Sequence, residues 1–349
     1  MLTQTSSLGD QAPCLVEITR GDMVESRHRG AVAILDAAGR VRHAVGDIDR
    51  PIFARSAIKP LQALPLIESG AADRYGLSDV ELALACASHH GQPAHVEAVT
   101  NWLDRIGLGP DDLECGAHLP TDVASSQALI RAGEAPSAVH NNCSGKHTGF
   151  LCTARCLGEA TRGYIEAEHP VQRRIAKVLA EMTGLDLSRA PRGRDGCGIP
   201  VIGISLRGTA RAFARMADPR DLPDERRAAA TRLLDAMAAQ PMMVDGTAGM
   251  AHAVMSVAGA TIRLKPGAEG VFCAALPALG LGIALKIEDG AARAAQHAMA
   301  TILDRLDCFD EAQRMALHPY LAPHIRNVAG VDVGLVRSAA ALDFRLSSG

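Results

Sequence analysis

The sequence predicts an α+β fold in which one antiparallel sheet, built from both ends of the chain, is packed with helices. Strand patterns cluster at the two ends of the chain, whereas helical patterns dominate from residue 57 to about 190. No internal repeat or low-complexity tract interrupts this arrangement. We therefore expect one domain spanning 1–349, with sheet-forming parts at 14–55 and 245–349 and a mostly helical part at 56–244.

The strands are predicted from apolar runs bounded by turn residues. Cys14 to Arg20 forms the first of these runs. The segments 31–35 and 41–45 flank a polar turn and indicate a hairpin. A second hairpin is predicted from 271–276 and 282–287, and 331–336 is predicted to be a closing strand.

The helices are predicted mainly from their end signals. Ser78 and Glu81 have the spacing of a capping box, which predicts a helix to about residue 87. Another helix is predicted over 93–106, where Gly107 stops it, and a third over 291–306. The segment 218–227 carries charges of both signs and two prolines, and we expect a surface loop there.

The composition excludes several classes of protein. A chain of 349 residues with 48% apolar content can bury a large core. A net charge of -3 and 3% aromatic residues argue against nucleic-acid binding. The first thirteen residues lack the basic start and apolar block of a secretory signal, and no apolar run is long enough to span a membrane. Nine cysteines, an odd number, then indicate reduced thiols in a cytoplasm.

Lysine is the most informative residue type in the chain. Only five of the 36 basic residues are lysines, and the rest are arginines. Arginine keeps its charge permanently, whereas a buried lysine can lose its proton and serve as a base or nucleophile. Codon bias alone would leave five unremarkable lysines, yet Lys59, Lys146 and Lys265 lie in dense polar clusters. Lys177 and Lys286 occupy ordinary positions.

Ser56 and Lys59 form a Ser-x-x-Lys pattern. Residues three apart on a helix can meet, and Pro60 requires the helix to begin at or just after Ser56. The hydroxyl would then lie beside free backbone N–H groups that can stabilise an oxyanion. A lysine becomes a base at neutral pH only when its pKa falls from about 10.4 to near 7, which requires burial and nearby positive charge. Arg55 could supply part of that charge.

Ser88 follows an apolar helix and precedes a break at Gly91, which would expose it at a turn. A helix-end serine without a function is the simpler interpretation of Ser88 alone. The neighbouring His89, His90 and His95 invite a metal interpretation, but they lack the His-Glu-x-x-His spacing of a zinc site.

Two polar, glycine-rich segments, 141–149 and 194–200, resemble binding loops, since such loops are costly to bury without a ligand. Cys143 and Cys197 could jointly bind a soft or borderline metal, with Lys146 or His147 alongside. From spacing alone, two unrelated buried cysteines are the simpler interpretation.

Lys265 directly precedes the second predicted hairpin. A lysine beside a central strand, facing a Ser-x-x-Lys helix, is the arrangement of serine β-lactamases and penicillin-binding proteins. The chain has no Lys-Thr-Gly and no Ser-Asp-Asn motif, so this analogy is one of architecture.

Taken in order, these motifs resemble the Rhizobium etli-type L-asparaginases, the asparaginase II family. The resemblance rests on Ser-Ala-Ile-Lys, Ala-Cys-Ala-Ser-His, His-Asn-Asn-Cys-Ser-Gly-Lys-His, Asp-Gly-Cys-Gly-Ile-Pro and the late Lys265. The segments 16–21 and 24–30 also match, so nearly the whole chain is covered. The resemblance implies hydrolysis of L-asparagine to L-aspartate and ammonia, on a β-lactamase-like fold, usually in a homodimer.

The resemblance also implies the site residues. Two Ser–Lys pairs are implied, Ser56 with Lys59 and Ser88 with Lys265. A zinc that assists substrate binding is implied at Cys143, Cys197 and Lys146, with the lysine bound as a neutral amine. Three further positions match residues near the family's active site: Arg55, His147 and Asp195. From their charges we expect the Asp195 carboxylate to accept the substrate's α-ammonium and the Arg55 side chain to pair its carboxylate.

We therefore predict a cytoplasmic amidohydrolase acting on free L-asparagine. Ser56 would attack after Lys59 takes its proton, while Ser88 and Lys265 relay protons; Ser88 remains the alternative nucleophile. Two other functions stay open. The same fold would permit a glutaminase or a β-lactam hydrolase, and a zinc-dependent amino-acid binding protein without catalysis would use the same loops.

Overall fold

The computed structural model describes residues 12–346. Most of the segment considered above for a secretory signal lies outside these residues. Within them the chain is an α+β protein with one large antiparallel sheet, one small sheet and helices packed around both. No helix in this range is both long and apolar enough to cross a membrane.

The large sheet contains strands from both chain ends, as predicted. Its strands run in the order β10-β11-β1-β2-β9-β8-β7, with β3 paired to β2 outside this path, and every pairing is antiparallel. The strands of the two sheets are β1 Cys14–Arg20, β2 Met23–Asp36, β3 Val41–Val45, β4 Pro51–Phe53, β5 Arg192–Arg194, β6 Pro200–Ser205, β7 Arg263–Pro266, β8 Val271–Leu276, β9 Leu281–Ile287, β10 His324–Arg326 and β11 Asp332–Ser338.

The predicted hairpins form with their expected partners. β2 pairs with β3 and β8 pairs with β9, each across a short turn. β2 also pairs with β9, so Val32 lies opposite Leu285 and Ile34 opposite Ile283. These four side chains are fully buried, because the centre of the sheet is covered by helices.

The helices fill the middle of the chain and also follow the second hairpin. They are α1 Lys59–Glu68, α2 Ala71–Arg74, α3 Asp79–Ala85, α4 Pro93–Arg105, α5 Val123–Ala132, α6 Ser144–Leu157, α7 Pro170–Thr183, α8 Leu206–Ala217, α9 Asp224–Ala239, α10 Pro241–Asp245, α11 Met250–Ala258, α12 Ala292–Arg305, α13 Glu311–Ala316 and α14 His318–Leu321. The Ser78 hydroxyl and the Glu81 carboxylate form the predicted capping box of α3.

The expected loop at 218–227 is wrong in its second half, because α9 already begins at Asp224. Pro223 precedes the first helical residue, and Asp224 and Glu225 lie in the first turn. Acidic side chains there interact favourably with the positive end of the helix dipole. The acidic residues that suggested a surface loop therefore lie in the first turn of α9 and stabilise it.

The small sheet carries a sharp turn toward the centre of the molecule. β6 lies between β4 and β5, and the chain between β5 and β6 spans residues 195–199. The backbone N–H of Asp195 donates to the Ile199 carbonyl at 2.9 Å, and that of Gly198 donates to the Asp195 carbonyl at 2.9 Å. This closed turn fixes the position of Cys197.

Helix α8 lies unusually close to the centre of the sheet. A methyl group added at Gly282 in β9 would come within 2.1 Å of the Ala210 carbonyl oxygen and 2.2 Å of the Ala214 nitrogen. Both atoms belong to the backbone of α8, so they cannot move without shifting the helix.

We expect Gly282→Ala to lower the free energy of unfolding by about 1–3 kcal/mol or more, because the helix must retreat from the sheet. Gly109→Ala is the matched control, since no atom lies within 4 Å of an added methyl group there. It should change stability by less than about 0.5 kcal/mol. Urea unfolding of both variants measures the difference, and equal stabilities would show that α8 does not pack as described.

Candidate active site

Three of the five lysines are buried. Lys59 and Lys265 have no exposed surface and Lys146 is 2% exposed, whereas the Lys177 side chain is 76% exposed beside Glu181. A buried amine is costly unless it is paired or hydrogen-bonded, so such positions are rarely structural. The scarce lysines therefore mark the part of the molecule most suited to chemistry.

Ser88 lies between two of these lysines. Its Oγ is 2.8 Å from the Nζ of Lys265 in β7 and 3.1 Å from the Nζ of Lys59 at the start of α1. Ser88 itself follows α3, and its backbone N–H donates to the Val244 carbonyl at 3.0 Å. One hydroxyl is thus held by side chains from the sheet and from the helical part of the chain.

Lys59 points toward the residues around Ser88 rather than toward Ser56. Its amine donates to the carbonyls of Ala87 and Asn142 as well as to the Ser88 hydroxyl. Three acceptors match the three donors of an ammonium group. Ser56 lies half-buried in the single 3-10 turn before α1, and the described hydrogen bonds include none to its hydroxyl. The predicted hydrogen bond between Ser56 and Lys59 does not occur among the described residues, because the Lys59 amine is directed to acceptors around Ser88.

Lys265 is the lysine with the properties of a base. Burial, and next the nearby charge of Lys59, lower its pKa to about 7. Its Nζ also lies 2.7 Å from the Pro266 carbonyl, which fixes the direction of the amine. An amine that is substantially neutral at pH 7 and within hydrogen-bond distance of a hydroxyl can accept its proton.

Arg55 and Asp195 form an ion pair near this centre. Arg55 Nε lies 2.7 Å from Asp195 Oδ1, which also accepts from the Gly196 N–H at 2.7 Å. Burial works to raise the pKa of Asp195, but Lys146 and Arg55 outweigh it and the pKa is lowered. Arg55 has a φ of 52°, a strained conformation for a residue with a side chain. The two residues expected to bind the ends of an amino acid are therefore adjacent.

His147 is a buried, neutral histidine with one free donor. Burial, and next the charge of Lys146, lower its pKa well below the usual range. Its Nδ1 lies 2.8 Å from the Tyr164 hydroxyl, which accepts from the Glu114 N–H at 2.8 Å. The phenol proton can then be donated to Nδ1, which leaves the proton of His147 on Nε2. That buried Nε2 has no hydrogen-bond partner.

Cys197 lies beside Cys143 and Lys146, although it follows them by about 50 residues in the sequence. Lys146 Nζ lies 3.0 Å from Cys197 Sγ, and a hydrogen bond from Cys197 lowers the pKa of Cys143. Burial works to lower the pKa of Lys146, but the charges of the two sulfurs outweigh it and raise that pKa. No group of three or more His, Cys, Asp or Glu side chains with a metal-binding arrangement occurs within 12–346. The two thiols and the amine are linked by hydrogen bonds, so they are the group of side chains to consider for a metal.

His89 and His95 are structural. His89 Nε2 lies 2.8 Å from the Ser144 hydroxyl and its Nδ1 accepts from the Gly91 N–H, while His95 Nε2 donates to the Met242 carbonyl at 3.0 Å. Their rings stack at 4.9 Å. Both nitrogens of His89 already have hydrogen-bond partners, so the ring is not available to a metal. The ring of His95 packs against it.

Two buried residues near the site were missed in the sequence. Tyr164 is fully buried against His147, and Asp245 is 5% exposed at the end of α10. A signal for Asp245 was present, since it is the only acidic residue in the largely apolar stretch 236–262. Tyr164 lies in a charged loop and gives no comparable signal.

We expect Lys265→Met to stabilise the fold while removing any activity that needs the amine. The unfolded chain holds the lysine proton to about pH 10.4 and the folded chain releases it near pH 7, so the burial cost is full below pH 7 and disappears toward pH 10. The gain should reach about 2–4 kcal/mol at pH 6 and shrink at pH 9. Denaturant unfolding at both pH values measures it. The exposed Lys177→Met should show no such pH dependence, and an equal gain at both pH values would contradict the lowered pKa.

Several solved structures resemble this chain in fold, at low sequence identity and low TM-score. They include a candidate β-lactamase from Bacteroides dorei DSM 17855, with 12% identity over 74% of this chain and 84% of that chain at a TM-score of 0.42. A β-lactamase from Mycobacterium bovis has 16% identity over 79% of this chain and 94% of that chain, at a TM-score of 0.39. Mglu in its native form in the presence of 4.3 M NaCl has 17% identity over 87% of this chain and 67% of that chain, at a TM-score of 0.37. Similarities of this size carry no argument about this chain.

No curated protein sequence matches the chain significantly. A family model, described as L-asparaginase II, matches residues 16–338 and so includes both lysines at Ser88, the cysteine pair and most of the large sheet. A match over that much of the chain shows that the protein belongs to the L-asparaginase II family.

Proposed function

We propose that the protein is an L-asparagine amidohydrolase that works through a serine–lysine acyl-enzyme. The observation that carries the proposal is Ser88, whose hydroxyl lies 2.8 Å from one fully buried lysine amine and 3.1 Å from another. Family membership supports an amide hydrolase, and this geometry supports a serine nucleophile with a lysine base.

The geometry favours Ser88 as the nucleophile and Lys265 as its base. The Ser88 oxygen attacks the side-chain amide carbon of asparagine while its proton passes to Lys265. The tetrahedral intermediate collapses, the C–N bond breaks, and Lys265 returns the proton to the departing ammonia. Water then hydrolyses the aspartyl ester, with Lys265 again accepting and returning a proton. The charge of Lys59 holds the serine in place and stabilises negative charge that develops beside it.

Substrate selection is assigned to Arg55 and Asp195. The α-carboxylate of asparagine would pair with the guanidinium of Arg55, and its α-ammonium would pair with the carboxylate of Asp195. These contacts would replace the ion pair that Arg55 and Asp195 form with each other. The unpaired Nε2 of His147 is a further donor that a substrate oxygen can use. These groups suit a small zwitterion, which distinguishes asparagine from a β-lactam.

The Cys143, Cys197 and Lys146 cluster fits a zinc ion in its donor set. Zinc prefers thiolate and nitrogen ligands, and three protein ligands leave one coordination position open. Lys146 would have to release a proton on binding zinc, because only the neutral amine is a ligand and the pKa of Lys146 is raised. When bound, zinc would supply a Lewis-acidic position that assists substrate binding. No step of the hydrolysis described above requires it.

We expect Ser88→Ala to reduce ammonia release from L-asparagine by 10³-fold or more, because removing the nucleophile of a serine hydrolase has effects of about that size. Ser56→Ala is the matched variant and should lower the rate by less than about 10-fold. A coupled ammonia assay on the purified proteins, with thermal unfolding as the folding control, measures both.

The opposite ranking, with Ser56→Ala inactive and Ser88→Ala active, would move the nucleophile to Ser56. Glutamine and a chromogenic cephalosporin belong in the same assay. Preference for either would overturn the substrate assignment. Stoichiometric asparagine binding without ammonia release would favour a binding protein.

We expect one zinc ion per chain after equilibrium dialysis and metal analysis. Cys143→Ser and Lys146→Arg should each lower zinc affinity by about 10-fold or more, because a ligand is lost and arginine cannot give up its proton. Cys115→Ser is the control, since that buried thiol donates to the Ala138 carbonyl. A chelator should raise the KM for asparagine more than it lowers kcat. Complete loss of turnover, restored by zinc, would give the metal a larger role.

A further inference from the structure

We propose that the buried amides of Gln62 and Gln172 complete, beside the carboxylate of Asp195, a binding site for the α-ammonium group of the substrate. This inference rests on the proposed function and deepens it, because it adds two specificity-determining residues that the hydrolysis described above does not use. A small cavity next to the Arg55–Asp195 ion pair is lined by all of these residues.

The cavity lies between α1, α7 and the small sheet. Gln62 comes from α1 and Gln172 from α7, while Asp195 begins the closed turn between β5 and β6. Most of the remaining lining is apolar and consists of alanine, isoleucine, leucine and valine side chains. In such surroundings a hydrogen bond to a charged group is stronger than in water, and an unpaired polar group is more costly. Polar atoms without partners in this cavity therefore indicate a ligand that uses them.

Gln62 is a buried residue with an unused amide. It is 6% exposed, and the described hydrogen bonds include none to its side-chain nitrogen or oxygen. It follows Lys59 by three residues on α1, so the two side chains share a face of the helix. Gln62 also lines the neighbouring space beside Lys146, so it lies next to both the ion pair and the cysteine cluster. Its hydrogen-bonding capacity is available to a ligand at the centre of the candidate site.

Gln172 supplies an oriented oxygen. It is 5% exposed, and its Nε2 donates to the Tyr164 carbonyl at 2.8 Å. That bond determines which end of the amide is the donor, so Oε1 is left as an acceptor. Within residues 12–346 no hydrogen bond to this Oε1 is formed. Gln172 is therefore held by the same tyrosine whose hydroxyl contacts His147.

Asp195 provides the negative charge of the site. Its Oδ1 accepts from Arg55 Nε and from the Gly196 N–H, both at 2.7 Å, and the hydrogen bonds of the described chain leave its Oδ2 unused. An ammonium group has three N–H donors and no acceptor. With Asp195 alone, a bound α-ammonium would keep N–H groups buried without partners, which is costly. Asp195 Oδ2 and the two glutamine oxygens together give one acceptor for each of the three donors.

The arginines of the cavity suit the other end of the same ligand. Arg55 pairs with Asp195, and Arg192 of β5 also lines the cavity, with its Nη2 3.2 Å from the Leu187 carbonyl oxygen. Two guanidinium groups repel a simple amine, whereas an α-amino acid presents its carboxylate to them and its ammonium to the three acceptors. The cavity therefore favours a zwitterion over an amine and over an acid that lacks the ammonium group.

L-aspartate and succinate provide the test, because they differ only in the α-ammonium group. Calorimetric titration of the purified protein should show tighter binding of L-aspartate. Gln62→Met keeps the length of the side chain but removes both polar atoms. It should weaken L-aspartate binding by about 10-fold or more and succinate binding by less than about 2-fold, because only the ammonium contact is lost. Gln62→Glu keeps an oxygen acceptor and should retain the affinity for L-aspartate. Gln127→Met, on the exposed helix α5, is the control and should bind both ligands normally.

Equal losses for both ligands in Gln62→Met would contradict the proposal, since they would show a general disturbance of the cavity. Unchanged L-aspartate binding, or no binding by the unmodified protein, would also contradict it. Gln172→Met provides the same comparison if Gln62→Met does not fold. Calorimetry does not depend on turnover. Ammonium-dependent binding without ammonia release would keep this site and refute the asparaginase activity. Ammonia release with an unchanged preference for L-aspartate over succinate in the variants would do the reverse.

Discussion

The burial of two lysine amines around one hydroxyl is the constraint on which the rest of the structure depends. Lys59 and Lys265 are both fully buried beside Ser88, although like charges repel and each amine loses its hydration. The fold meets this cost by supplying backbone carbonyls to both amines and by allowing Lys265 to titrate near neutral pH. The two buried amines therefore lower the stability of the fold at one point of the core.

That point lies where the two parts of the chain meet. The helical part supplies Lys59 from α1 and Ser88 from the loop after α3. The sheet supplies Lys265 from β7. The small sheet brings Asp195 and Cys197 to the same region through its closed turn, next to Arg55 and Lys146. Each element contributes one or two side chains, so the geometry depends on how the layers pack.

Much of this arrangement was predictable from sequence. Apolar runs and turn residues gave β1 and both hairpins, and the capping box at Ser78 gave the start of α3, because these signals are local. Lysine scarcity identified all three buried amines. The partner of Lys59 was not predictable in the same way. The spacing suggested Ser56, whereas the amine reaches across to Ser88 through tertiary packing that no local pattern encodes. Asp245 was missed for a related reason, since it lies near the site only through packing, with the Ser88 N–H donating to the preceding Val244 carbonyl.

The sheet order has a consequence for how the protein is made. β1 and β2 are synthesised first, but β2 lies beside β9 and β1 beside β11, more than 240 residues later. During translation β1 and β2 can pair with each other, but the edge of each that faces a late strand remains unpaired until the last part of the chain emerges. Their unpaired edges are exposed for that interval and are open to pairing with other chains. Lys265 also emerges late, so its amine can meet Ser88 and Lys59 only after about three quarters of the polypeptide has been synthesised.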